Sequence, residues 1–153
     1  MTKVSMGKDG ARILVDSAVV EEHRQLGWEL LYASNNLANV GLTIGDQATN
    51  TINVAAELLD ENGAALAESI SVLAFLCDDT DGIDQTATAP DGHVAAGTNG
   101  GCIHLVTDKF FLLNTDANGS VDIDMVESGA ATWYLVLVFP SGERVVSDPI
   151  TFT

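Results

Sequence analysis

The chain has 153 residues, of which 46% are hydrophobic, enough to bury a core in one domain with a small appendage. Its formal net charge of −16 excludes nucleic acid and anionic membrane surfaces as partners, because both are gripped by Lys and Arg, and only six are present. No apolar run approaches the roughly 18 residues of a membrane helix, and residues 1–16 lack the apolar stretch of a signal peptide.

Residues 1–32 read as a small β-β-α-β unit. Val4–Met6 and Ala11–Val15 flank Gly7-Lys8-Asp9-Gly10, a hairpin signal. Asp16 or Ser17 caps a helix carrying Val19, Val20, His23 and Leu26 at helical spacing, and Gly27 ends it. Trp28–Tyr32 then reads as a short strand. Residues 33–50 hold one charged residue, Asp46, among small polar ones, which is linker composition. A plain linker has no use for Leu37, Val40, Leu42 and Ile44, so the segment reads as an arm that becomes ordered on a surface. Together with Leu26 and Trp28, these four are the candidate partner contacts.

Residues 51–153 are a series of strand signals separated by turns. Thr51–Leu59 is followed by Asp60-Glu61-Asn62-Gly63, then by the alternating Ser69–Cys77. A polar loop, 78–101, precedes Cys102–Val106 and Lys109–Leu113. After Asp116-Ala117-Asn118-Gly119, Val121, Ile123 and Met125 alternate with Asp122 and Asp124, whose carboxylates read as the solvent face. Thr132–Phe139 is the most apolar strand and is expected inside a sheet, with Trp133 and Tyr134 on opposite faces. Arg144–Ser147 and Ile150–Phe152 close the chain. Seven or so short strands at this spacing predict an antiparallel β-sandwich.

Two stretches resemble bacterial immunoglobulin-like repeats of the invasin and intimin type: LLDENGAALAESISVLAFL (58–76) and NTDANGSVDIDMVESGAATWYLVLVF (114–139). Modules of this type also occur in tailed-phage virion proteins, and residues 51–153 resemble small phage structural proteins with such an ending. The N-terminal pattern K-D-G…V-D…L-G-W is similar to a leader on phage head and tail proteins. The resemblance implies an Ig-like fold and a phage capsid decoration (cement) protein made in the host cytoplasm and carried on the virion. Its partners would be the major capsid protein or other virion proteins, met in many copies or as a homo-oligomer. A head–tail connector, tail or fibre subunit and a host-glycan-binding module are the alternatives.

No catalytic motif accompanies these features. G-x-S-x-G is absent, and Gly97–Gly101 lacks the lysine and helix of a phosphate loop. No enzymatic activity and no cofactor are expected. Asn114, Asp116, Asn118 and Asp122 mimic the first half of a calcium loop, but Met125 stands where the bidentate Glu belongs, so the stretch reads as a turn. Asp78, Asp79, Asp81 and Asp84 form an acidic loop, read as solvated. Cys102 and His104 share a strand face, yet two ligands do not make a zinc site, and the pair reads as packing. Cys77 and Cys102 are expected to be reduced thiols.

Overall fold

A computed structural model describes all residues except 1–2, 10, 17, 19, 27–28, 31–38, 61 and 140–141. The chain is mainly β, with antiparallel sheets and a single six-residue helix among the described residues. It divides into two compact units, Met1–Ala38 and Asn39–Thr153.

In the first unit, β1 (Lys3–Lys8) and β2 (Ala11–Asp16) pair antiparallel, with Lys8 opposite Ala11. The reversal needs left-handed backbone, which Asp9 supplies at φ 49°. Helix α1 (Val20–Gln25) follows, and β3 (Glu29–Leu30) returns to pair with β1. The Lys8 ammonium donates to the Leu26 carbonyl at 2.6 Å, closing the helix end onto the hairpin.

The second unit holds two sheets. One has the order β4 (Asn39–Ile44), β5 (Thr51–Leu59), β10 (Ser120–Val126), β7 (Val94–Ala96). The other has the order β12 (Arg144–Val146), β11 (Ala131–Val138), β6 (Ser71–Cys77), β9 (Phe110–Asn114), β8 (Gly101–Val106). Strand β13 (Ile150–Phe152) also pairs with β11. Burial follows the period of two that a half-buried sheet demands. Ile52, Val54, Ala56 and Leu58 of β5 are buried with Val121, Ile123 and Met125 of β10, and Val72, Ala74 and Leu76 of β6 with Phe111, Leu113, Leu135 and Leu137. The Trp133 side chain joins this core, its edge against Phe152 and its indole N–H donated to the Thr88 carbonyl at 3.1 Å.

Two segments differ from the sequence reading. Part of the expected 33–50 arm is a sheet strand: β4 lies along β5 from Asn39↔Leu59 to Ile44↔Val54, and the Gly45 N–H donates to the Asn53 carbonyl at 2.8 Å. The physical reason is that Val40, Leu42 and Ile44 alternate. The second unit therefore begins at residue 39 rather than 51. The expected 78–101 loop likewise contains β7, which pairs with β10 through Val94↔Met125 and Ala96↔Ile123.

The two D-x-N-G turns share one construction. Asp60 Oδ1 accepts from the N–H groups of Asn62 and Ala64 at 2.8 and 2.9 Å, and Asp116 Oδ1 from those of Asn118 and Ser120 at 2.8 and 3.0 Å. These backbone donors hold both carboxyls below the usual range. Gly119 closes the second turn at φ +80°, and a Cβ there would lie 2.0 Å from the Leu66 carbonyl oxygen. Gly119→Ala is expected to lower stability by about 2 kcal/mol, from left-handed strain together with a backbone clash. A lowered urea midpoint at unchanged slope is the check.

Candidate functional site

The outer face of the larger sheet is the most distinctive surface of the second unit. Strands β6 and β9 turn Val72, Ala74, Phe111 and Leu113 inward, so Leu73, Phe75, Phe110 and Leu112 project outward. The register aligns Leu73, Leu112 and Ile103 in one cross-strand row and Phe75, Phe110 and Val106 in the next. Leu105 is the extra residue of a bulge between His104 and Val106. Ile103 is 53% exposed and Leu73 38%, so the face meets solvent rather than a covering layer. Phe75 and Phe110 meet edge to face with centroids 6.4 Å apart. With Ile83 and Gln85 they line a shallow cleft of about 160 Å³. None of these residues is charged, in a chain of net charge −16. Strand β8 ends the sheet order, so no strand pairs with its far edge among the described residues.

The loop after β6 frames one side of this face and is fixed to it. Thr86 donates its N–H to the Leu76 carbonyl at 2.7 Å and its hydroxyl to Asp78 Oδ1 at 2.5 Å. The Arg144 guanidinium donates to the Gly82 carbonyl at 2.7 Å. The acidic residues of this loop are not pooled. Asp78 receives Thr86, while Asp79 Oδ1 accepts the N–H groups of Asp81 and Gly82 at 3.0 and 3.3 Å and the Cys77 thiol at 3.3 Å.

The candidate partner contacts fare unequally. Val40 is only 7% exposed and belongs to the core, and Leu42 and Ile44 are half-buried along β4. Those side chains serve the sheet instead of an arm. Leu26 is 64% exposed at the end of α1. Trp28 and Leu37 lie outside the described residues.

The calcium-loop mimic is dispersed by its own hydrogen bonds. Asn114 Oδ1 accepts from the Ser71 hydroxyl at 2.5 Å, and Asp116 and Asn118 serve the turn. Asp122, expected on the solvent face, is 5% exposed because residues 97–99 fold over it. Its Oδ2 accepts from Asn53 Nδ2 at 2.7 Å and the Thr98 N–H at 3.0 Å, and its Oδ1 from the Asn99 N–H at 2.6 Å. Burial pushes the Asp122 carboxyl up, but the donors from Asn53, Asn99 and Thr98 outweigh it and hold it below the usual range. Gly97 permits the approach, since a Cβ there would lie 1.9 Å from Asp122 Oδ2.

Cys77 is buried, Cys102 is half-buried, and the two are not bridged. Burial, helped by the Asp108 carboxylate, pushes the Cys102 thiol up to about 11. His104 does not find its partners in Cys102: it lies with His93 and Asp108, a grouping across two sheet edges that sequence spacing did not reveal.

No protein-family model matches the chain, and no curated protein matches it.

Proposed function

We propose that the second unit is an Ig-like sandwich and that the protein is a non-enzymatic structural component of a phage particle, decorating the outside of the head. The observation that carries the contact role is the uncharged apolar face formed by Leu73, Phe75, Ile83, Ile103, Phe110 and Leu112. Exposed apolar area of this continuity marks an interaction surface. The chain's own negative charge disfavours a second copy as its first partner. An apolar surface of the major capsid protein is the fitting occupant, and Gln85 is the only side chain lining the cleft that offers hydrogen bonds of the kind a glycan would need.

The strand pairing supports the Ig-like reading. Strands β4, β5 and β10 take the A-B-E positions of one sheet, while β12 and β13 with β11 and β6 take the G-F-C positions of the other. Two features depart from that pattern: strands β8 and β9, which follow β7 in the chain, extend the β6 edge of the second sheet, and the inter-sheet disulfide is absent, with the core aromatic Trp133 on the F-position strand. The phage assignment itself rests on the resemblance of residues 58–76 and 114–139.

Many copies on a symmetric shell turn individually weak apolar contacts into a large collective stabilisation. Purified protein added to particles that lack it is expected to bind at hundreds of copies and to raise their heat-inactivation temperature. Binding at a dozen copies or fewer would assign it to the head–tail connector or tail. No binding, with unchanged heat stability, would refute the reading.

A further inference from the structure

We propose that His93, His104 and Asp108 form a binding site for a divalent transition metal, with Zn²⁺ the fitting ion, that clips together the free edges of the two sheets. The ligand atoms of these three side chains all lie within 4.8 Å of one another. His93 Nδ1 is 2.7 Å from Asp108 Oδ1, and His104 Nδ1 is 3.6 Å from the same oxygen. Tetrahedral Zn²⁺ with bonds of about 2.0–2.1 Å holds its ligand atoms roughly 3.3 Å apart, so the two observed separations bracket the value required.

The surroundings prepare each ligand. The Asp108 backbone N–H donates to His104 Nδ1 at 3.2 Å, so that nitrogen is the unprotonated one, and a bound metal would take its lone pair in place of this long backbone bond. His104 and Phe111 meet edge to face, with centroids 5.2 Å apart, a contact that fixes the ring plane. Asp108 is buried, and its Oδ1 is anchored by the Val94 N–H at 2.8 Å. Such outer contacts orient metal ligands and tune their basicity. The His93 ring stacks beside His104 at 5.1 Å, and its side chain is 59% exposed, leaving an open side for water as a fourth ligand. Two imidazoles with one carboxylate select a borderline transition metal over Ca²⁺ or Mg²⁺, which prefer oxygen alone.

The placement defines the consequence. His93 immediately precedes β7, the edge of one sheet, while His104 and Asp108 belong to β8 and the turn after it, the edge of the other. A metal held by all three would oppose separation of those edges. This inference stands independently of the phage reading.

The test uses the untagged full chain after treatment with chelator, titrated with Zn²⁺ calorimetrically. One equivalent is expected, with no saturable heat from Ca²⁺ or Mg²⁺. The melting temperature is expected to rise by about 5–10 °C at Zn²⁺ a hundredfold above Kd. His93→Ala, at an exposed position, and His104→Ala should each weaken binding at least about tenfold and remove the thermal shift, whereas His23→Gln, in the first unit, should retain both. No saturable Zn²⁺ binding, wild-type affinity in His93→Ala, or loss of binding in His23→Gln would overturn the proposal.

Discussion

Replacing Asp122 by alanine is expected to lower the unfolding free energy of the second unit by about 3 kcal/mol at pH 7, because three donors lose a charged acceptor in a buried place. Asn53 Nδ2 and the N–H groups of Thr98 and Asn99 all point at this one carboxylate. Asp122→Asn is expected to cost nearly as much. Both carboxylate oxygens accept, so either orientation of the amide turns its NH₂ group against a donor. The pH dependence follows from the lowered carboxyl. A group whose folded pKa lies below its unfolded value, about 3.9 for Asp, contributes stability that is fully present above that value and is lost as pH falls through the folded pKa. The gap between wild type and Asp122→Asn should therefore be widest at neutral pH and shrink below about pH 4. Urea midpoints for both proteins at pH 7 and pH 3 measure it, and an equal gap at the two values would contradict the assignment.

Much of the strand content was legible because each strand's pattern is local. The alternation Ile52, Val54, Ala56, Leu58 specifies the buried face of β5, and Val121, Ile123, Met125 that of β10. The D-x-N-G turns were legible for the same reason, since an Asx side chain caps its own turn. Low charge and small polar neighbours make residues 39–44 resemble an arm, whereas the three-residue alternation Val40, Leu42, Ile44 is the signal that specifies β4. The burial of Asp122 depends on residues 97–99, which no period along β10 reports. His93 and His104 are eleven positions apart with no ligand spacing, and only the meeting of two sheet edges joins them. The apolar outer face did leave a trace. Phe110-Phe111-Leu112-Leu113 is apolar at both parities, which means either a strand covered on both sides or an exposed contact surface.

That second possibility yields the other large effect. Ile83 and Ile103 are 61% and 53% exposed, on a loop and on an edge strand, so changing both to Asp removes little core packing. Solvent-exposed changes of this kind usually cost within about 0.5 kcal/mol each, and the fold should persist. Two carboxylates desolvated against an apolar partner would instead cost several kcal/mol on binding, a loss of at least about a hundredfold in affinity. The most direct measurement is co-sedimentation of wild type and the Ile83→Asp/Ile103→Asp variant with particles lacking the protein, alongside the melting temperature of each. The contact-face account predicts that wild type saturates the particles and that the variant, melting within a few degrees of it, stays in the supernatant. Equal binding by a folded variant would contradict it.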